Sequence, residues 1–284
     1  MPQGGAAARS PDPRKLSDGK VNFSCPAADP GTRVGGSVFK VGCCGFQISK
    51  RKYAEIFDLV EVQDTFYKLP SVETVRRWRR DVGRDSFEFA VKAWMVFTHS
   101  PSSAIWRKSG VPPDSEYGSL KPTGKNLESW EKFREILREL NSSLVVFQSP
   151  PSFKASDENV RNSLEFFRSV KEGALMVGWE IRDESWLRRE EFRRILEELG
   201  ITHVVDPLYE SPVYGRFRYY RLHGSRKGKR IIYSHNYSEE ELLRLMDIVK
   251  RNAAESNYVL FNNSYFSLEN ARAFKYMLEH HLPM

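Results

Sequence analysis

The feature that most constrains the fold of this chain is a regular alternation between short apolar segments and amphipathic ones. Eight apolar segments of strand length occur, at residues 38–44, 59–65, 87–94, 143–148, 174–181, 201–206, 217–223 and 257–262. Stretches with helical spacing lie between most of them, at 72–80, 126–140, 157–171, 184–199, 238–252 and 267–280. Because a parallel neighbour is reached only through a crossover connection, this alternation predicts an α/β protein with a parallel sheet.

Two parallel architectures compete for a chain of this length. With 284 residues, a closed (β/α)8 barrel of the TIM type is the economical solution, as a single domain over residues 38–284. A doubly wound open sheet is the rival, but the first strand is followed only by GCCGF (42–46), which is too short for G-x-G-x-x-G. We therefore predict the barrel. Its connection at 207–216 contains Pro and Gly, which predicts a link without a helix.

The first 37 residues differ from the rest of the chain in composition. They are rich in Ala, Gly, Pro, Ser and Arg and show no periodicity. This composition predicts a flexible tail that contributes neither a strand nor a docked helix. Removal of residues 1–35 is accordingly expected to leave the domain intact.

Composition also bounds the cellular setting. No apolar run reaches the roughly 18 residues of a transmembrane helix, and the first residues lack the apolar centre of a secretory signal. The three cysteines, Cys25, Cys43 and Cys44, form an odd set, which favours a reduced cytoplasmic protein. The net charge of +7 suits an anionic partner, and equally an ordinary enzyme with a cation-rich surface.

Polar side chains collect at the C-terminal ends of the predicted strands. Alternation places them opposite the apolar positions of each strand: Glu61, Gln63 and Thr65; Lys92; Gln148; Glu180 and Arg182; Arg221 and His223; Asn262. Since helices cover the apolar outer face, we expect the polar sets to point into the barrel mouth, where barrel enzymes carry their chemistry. A buried structural network, in which the two glutamates neutralise the lysine and the two arginines, is the alternative interpretation.

Seven motifs, in order along residues 38–275, resemble those of a known family. They are GCCGF (42–46), VEVQDTFYKLPS (60–71), FEFAVKAWMVFTH (87–99), VVFQSPPSF (145–153), WEIRDESW (179–186), YYRLHG (219–224) and FNNSYFSLENA (261–271). Together they resemble the YecE-like family, domain of unknown function 72, whose members form TIM-like barrels. Gln63 stands where that family usually has Asn, and Cys44 and Phe46 replace Ser and Trp. The resemblance implies a fold and a pocket, and it leaves the substrate open.

The mouth residues suggest acid–base chemistry on an anionic substrate. Two glutamates suit a general acid and a general base, and the surplus of cationic donors suits a phosphate. The candidate catalytic residues are Glu61, Glu180, His223 and Lys92. The candidate substrate-binding residues are Gln63, Tyr67, His99, Gln148, Arg182, Arg221, Asn262 and Asn263.

No cofactor is assigned from the sequence. A divalent metal would find its ligands among Glu61, Glu180, Asp206 and His223, but no H-x-H, H-E-x-x-H or D-x-D spacing is present, so a metal is not favoured. Lys92 suits a Schiff base, as in barrel aldolases, although a salt-bridged lysine is the favoured interpretation. For Cys43 and Cys44, small residues in a tight turn are favoured over a nucleophile.

The leading functional hypothesis is a hydrolase of phosphodiester or phosphate-bearing substrates, with DNA or RNA as the expected partner. The basic segment RLHGSRKGKR (221–230) beside the mouth suits contact with a nucleic-acid backbone, and also a solvated loop. Two alternatives stay open. One is a carbohydrate-acting hydrolase or isomerase that uses the glutamate pair, and the other is a non-catalytic nucleotide-binding or nucleic-acid-binding protein. The oligomeric state is not indicated.

Overall fold

The structure is a computed structural model that describes residues 31–228 and 230–280. The strands of this part of the chain are β1 (Thr32–Val34), β2 (Ser37–Cys44), β3 (Leu59–Val62), β4 (Glu88–Lys92), β5 (Leu144–Gln148), β6 (Met176–Glu180), β7 (Thr202–His203), β8 (Arg218–Leu222), β9 (Ser225–Lys227), β10 (Arg230–Ile232) and β11 (Ser256–Phe261). The helices are α1 (Lys50–Ile56), α2 (Asp64–Tyr67), α3 (Val72–Val82), α4 (Gly124–Leu140), α5 (Asp157–Val170), α6 (Glu190–Leu199), α7 (Glu239–Arg251) and α8 (Ser267–His280).

Eight of these strands form the wall of a parallel barrel. Their order is β7-β6-β5-β4-β3-β2-β11-β8, and every pairing along this path is parallel. The two end strands approach each other where Val205 pairs with Tyr220, and Arg221 N donates to Val205 O at 3.0 Å. The predicted (β/α)8 barrel is therefore confirmed, with a seam between β7 and β8 that is held by few hydrogen bonds.

Alternation along the strands builds the inside of the barrel. A buried apolar layer fills the interior, made of Cys44, Leu59, Ala90, Leu144, Val146, Val204, Phe217, Tyr219, Tyr258 and Leu260. A second, larger apolar cluster lies between the strands and the helices. Side chains two positions apart in a strand share a face. The residue two positions after an interior apolar residue therefore also points inward, and it lies closer to the mouth. Glu61 follows Leu59 in this way, and Lys92 follows Ala90.

Helix starts agree with the local signals in the sequence. Ser238 forms a capping box with Glu241 at the start of α7, and the Ser156 side chain accepts a hydrogen bond from Asn159 N at 3.2 Å at the start of α5. The link between β7 and β8 contains no helix in the described residues, as the turn residues at 207–216 predict. None of the described helices combines the length and the apolar character that crossing a membrane requires.

The predicted second strand is shorter than expected. The segment 59–65 was predicted as one strand, but β3 ends at Val62 and the chain enters helix α2 at Asp64. The hydroxyl of Thr65 donates to Lys92 O at 2.7 Å instead of lining the mouth. The turn places Phe66 beside the end of β4, which the strand interpretation did not foresee.

The predicted tail also needs a correction at its end. Residues 1–30 lie outside the described residues, but Thr32–Val34 form strand β1, which pairs antiparallel with β2. The prediction that nothing before residue 38 contributes a strand is therefore wrong for these three residues. The hairpin turns at Gly35 and Gly36, whose φ angles of 57° and 88° are open to glycine but strained for other residues.

This correction changes the expected outcome of truncation. We expect a protein that begins at residue 36 to melt a few degrees below one that begins at residue 31, because only the shorter protein lacks β1 and the packing of Val34 on the core. Thermal unfolding of the two truncated proteins measures the difference. Equal melting temperatures would show that β1 adds no stability.

Candidate functional site

Arg221, on β8, is the centre of a charged network at the barrel mouth. Its side chain is fully buried, and its Nη2 donates to Glu61 Oε1 at 2.9 Å while its Nη1 donates to Glu180 Oε2. Nη1 also donates to Gln148 Oε1 at 3.0 Å, and Cys44 Sγ lies 3.8 Å from Nη2. One guanidinium thus joins side chains from four other strands, which is why both glutamates tolerate burial.

Glu180 is the second centre of the network. Its Oε1 accepts from Arg182 Nε at 2.8 Å and lies 3.3 Å from His223 Nε2. Burial alone would raise the pKa of Glu180, but the charges of Arg182 and Arg221 hold it well below its usual range. Asn262 Nδ2 lies 3.0 Å from His223 Nδ1, and Arg182 Nη2 lies 3.4 Å from His223 Nε2. Burial lowers the pKa of His223 to about 4, so the imidazole is neutral at neutral pH.

Lys92, at the end of β4, is a cation of this site that has no anionic partner within the part of the chain that the structure describes. Its Nζ lies 3.9 Å from the centre of the Phe66 ring, and within the described residues it makes no hydrogen bond or ion pair. The side chain is 7% exposed, which puts it at the floor of the mouth. Burial, and then repulsion by Arg221, lower the pKa of Lys92 to about 7, against the attraction of Glu61 and Glu180.

This arrangement corrects the favoured interpretation of Lys92. A salt-bridged lysine was expected, but the carboxylates of Glu61 and Glu180 are already occupied by arginines, and the Lys92 ammonium faces an aromatic ring instead. The purely neutralising network predicted as the alternative therefore holds for the arginines and fails for the lysine.

The other predicted substrate-binding residues divide into those at the network and those beside it. Gln63 donates to Glu61 Oε1 and belongs to the network. His99 lies edge-on to the Phe66 ring, with 5.3 Å between ring centres, and burial lowers its pKa to about 4. Tyr67 is 40% exposed and lies under the ammonium of Lys108, whose Nζ is 4.9 Å from the ring centre.

Asn263 points away from the mouth. Its Nδ2 donates to His235 O at 2.9 Å and to Asn270 Oδ1 at 2.6 Å, so it ties the end of β11 to helix α8 and to the loop before α7. Asn262, its neighbour, faces His223 instead. The alternation of a strand end separates the two asparagines, and only the first of them reaches the site.

The four candidate metal ligands do not converge. No group of three or more His, Cys, Asp or Glu side chains in the described residues is arranged to hold a metal ion. Asp206 is turned to the backbone, where its carboxylate accepts from His223 N at 3.1 Å and from Leu208 N at 3.2 Å. Burial raises its pKa to about 7. The arginines already occupy Glu61 and Glu180, so the donor set present suits charge pairing better than metal binding.

The adjacent cysteines are part of β2 and not of a tight turn, so that prediction was wrong. Gly42 lets β2 and β3 approach closely, since a Cβ there would lie 2.2 Å from Leu59 O. Burial raises the pKa of Cys43 to about 12 and that of Cys44 well above its usual range. Neither thiol is therefore a thiolate at neutral pH, and neither suits a nucleophile.

Three further residues complete the site. The sequence did not indicate the roles that they have in the structure. Tyr219 OH donates to Glu61 Oε2 at 2.8 Å. Tyr233 follows the hairpin of β9 and β10, and its OH accepts from Arg182 Nη1 at 3.2 Å. Phe66 is the platform for Lys92. The aromatic enrichment near the strand ends was visible in the sequence, but partners this distant along the chain are not.

The basic segment at 221–230 runs from the end of β8 into the hairpin of β9 and β10. It lies beside the mouth, because Tyr233 at its end contacts both Arg182 and the ring of His223. Arg226 is paired with Glu210 at 2.8 Å and lies over the Tyr209 ring.

The fold and the site define a (β/α)8 barrel protein with a buried carboxylate–arginine network and a lysine at the mouth. The chain belongs to the family described as protein of unknown function DUF72, whose profile matches residues 47–283. This confirms the resemblance found in the sequence motifs.

Solved structures of the family agree with the fold. A DUF72 family protein of Thermotoga maritima is 28% identical, with a TM-score of 0.63, over 85% of this chain and 99% of that one. One from Enterococcus faecalis is 20% identical, with a TM-score of 0.67, over 87% and 97%. A D-tagatose 3-epimerase-like protein, 15% identical with a TM-score of 0.50 over 84% and 96%, shares the fold alone. No curated protein matches the chain.

Proposed function

We propose that this protein is a hydrolase of phosphodiester or other phosphate-bearing substrates, in which Lys92 binds the phosphate and protonates the leaving group. The observation that carries the proposal is the unpaired ammonium of Lys92 on the Phe66 ring at the barrel mouth. Nucleic acid is the substrate class that the flanking hairpin favours, with its exposed cation Lys227 on β9 and Arg230 on β10.

The charge balance of the mouth supports an anionic substrate. Glu61 and Glu180 are balanced by Arg221 and Arg182, which are bonded to them. When Lys92 is protonated, the mouth therefore holds one surplus positive charge. A substrate phosphate supplies the missing anion, and its binding raises the pKa of the lysine back toward the ammonium form.

Lys92 also suits the proton transfer itself. A general acid is most effective when its pKa lies near the working pH, and the pKa of Lys92 is about 7. In hydrolysis of a phosphate ester, water attacks phosphorus, the P–O bond to the alcohol breaks, and the Lys92 ammonium gives its proton to the departing oxygen. The attacking water loses one proton to solvent, and Lys92 regains a proton from solvent to restore the ammonium.

Glu61 and Glu180 act differently in this proposal from the acid and base first considered. The arginines hold both carboxylates, and the pKa of Glu180 is depressed, so that this group does not donate a proton at neutral pH. The carbohydrate-acting alternative with a glutamate acid is accordingly less well supported. We assign the glutamates to the positioning of Arg221 and to the electrostatic setting of Lys92.

The test compares Lys92→Arg with the wild type. Arginine keeps the positive charge but does not release a proton at neutral pH, so we expect retained binding and a loss of turnover of about 100-fold or more. Turnover is measured with bis-p-nitrophenyl phosphate, p-nitrophenyl phosphate and short RNA and DNA oligonucleotides. Oligonucleotide binding is followed by fluorescence anisotropy at several salt concentrations. Lys92→Met is expected to lose both oligonucleotide binding and turnover.

A second lysine inside the barrel provides the matched control. Lys40, at the amino end of the barrel, is paired with Glu88 at 2.5 Å, and we expect Lys40→Arg to keep turnover. Wild-type kcat/KM should fall as pH rises above about 7, because the acid form of Lys92 is lost from the free protein. Absence of turnover of every phosphate substrate, or full turnover by Lys92→Arg, would contradict the proposed function.

A further inference from the structure

Lys92 differs from the other lysine inside the barrel in a way that has a chemical consequence. Lys40 Nζ is fixed by the carboxylate of Glu88. Lys92 Nζ has no such partner in the described residues and lies on the apolar face of Phe66. An amine without an ion pair, in apolar surroundings at the mouth of a barrel, is arranged as a nucleophile.

We propose that Lys92 in its neutral form condenses with an aldehyde or ketone bound in the mouth and forms an imine. The inference goes beyond the proposed hydrolysis and does not rest on it, since it uses the unprotonated amine where hydrolysis uses the ammonium. The substrate class is a small carbonyl compound, such as the open-chain form of a sugar.

The step balances without a co-reactant. The Nζ lone pair attacks the carbonyl carbon, a C–N bond forms, and the carbonyl π electrons move to oxygen, which takes up a proton. The nitrogen gives up its two protons in the course of the reaction, one replacing the proton taken up by the oxygen and one going to the hydroxyl group, which leaves as water as the C=N bond forms. Amine and carbonyl become imine and water, and nothing is oxidised or reduced.

The surroundings of Lys92 favour this product. The protonated imine carries a positive charge at the position of the ammonium, where the attraction of Glu61 and Glu180 acts on it. Those carboxylates are held by Arg221, so they do not form an ion pair with the amine and leave its lone pair available. With a pKa of about 7, roughly half of Lys92 is neutral at pH 7, against about 0.04% for an exposed lysine.

The experiment traps the imine by reduction. The full chain is incubated with glyceraldehyde or glyceraldehyde 3-phosphate in the presence of cyanoborohydride, and the labelled lysines are mapped by peptide mass spectrometry. We expect one adduct on Lys92, formed at least tenfold faster than on any exposed lysine, and none on Lys40. The rate should rise with pH and level off above about 7. Lys92→Arg and Lys92→Met should lose this fast adduct while keeping their circular dichroism spectrum.

The outcomes separate this inference from the proposed hydrolysis. Labelling spread over exposed lysines, or no preference for Lys92 with either aldehyde, overturns the imine and leaves the hydrolase tests unaffected. Fast labelling of Lys92 without any phosphate turnover supports the imine and overturns the hydrolase. The two activities also have opposite pH trends, because hydrolysis needs the ammonium and labelling needs the neutral amine.

Discussion

Replacement of Arg221 by alanine is expected to destabilise the protein by about 3–5 kcal/mol, one of the two largest effects in this barrel. The reason is that Glu61 and Glu180 would stay buried without the guanidinium that joins them. Chemical denaturation with urea, with the transition followed by tryptophan fluorescence, measures the loss. A cation that only awaited a substrate would cost little stability on removal, whereas both terminal nitrogens of Arg221 already bond to the glutamates.

Two controls identify the cause of that loss. The combined variant Glu61→Gln and Arg221→Met removes one buried charge pair and leaves Glu180 paired with Arg182, and we expect it to recover a large part of the stability. Arg226→Ala removes an arginine from a partly exposed pair with Glu210 and should cost less than about 1 kcal/mol. An Arg221→Ala protein within 1 kcal/mol of the wild type would show that the network adds nothing.

Replacement of Lys92 by methionine is expected to have the opposite sign, and to stabilise the protein by about 2–4 kcal/mol at pH 6.5. Methionine fills a similar volume on the Phe66 ring without a charge. In the wild type the pKa of this group is about 7 when folded and about 10.4 when unfolded. Below pH 7 the folded protein therefore carries the full cost of charging a buried amine.

The pH dependence tests the origin of this gain. Between about pH 7 and 10 the unfolded chain binds a proton that folded Lys92 does not, so wild-type stability gains with rising pH from this group. The advantage of Lys92→Met should then shrink from pH 7 to pH 9. Lys92→Arg, which keeps its charge throughout, should show no such gain. An equal free energy of unfolding for the wild type and Lys92→Met at pH 6.5 would show that burial of the charged amine does not destabilise the folded protein.

A stabilising loss of Lys92 would also bear on function. A group that lowers stability in the folded protein and is replaced without harm to the fold is best explained by a role in binding or catalysis. Such a result would support a functional role for Lys92 with either substrate class. Phosphate hydrolysis would use its ammonium form, and imine formation would use its neutral form.

Much of the fold was accessible from local patterns. The strand–helix alternation predicted the barrel, and the period of two along each strand predicted that Glu61, Glu180 and Arg221 share its interior. Both signals are local, so they survive in the sequence. The pattern failed at 59–65, where the β-prone residues Thr65, Phe66 and Tyr67 follow the strand end at Val62, and at Thr32–Val34, whose pairing with β2 has no signal in composition.

The sequence by itself placed Glu61, Lys92, Glu180 and Arg221 on the interior faces of their strands, and only the tertiary structure decided how their charges are shared. Two glutamates and three cations can pair in several ways, and the choice depends on the register between strands whose paired residues are 41 and 160 positions apart in the chain. Closure of the barrel brings Arg221 between Glu61 and Glu180, whereas the turn into α2 places Phe66 under Lys92. Within the described residues, Lys92 has no anionic partner because Arg182 and Arg221 pair with both carboxylates. The folded geometry decides this pairing, since the residue types alone would allow others.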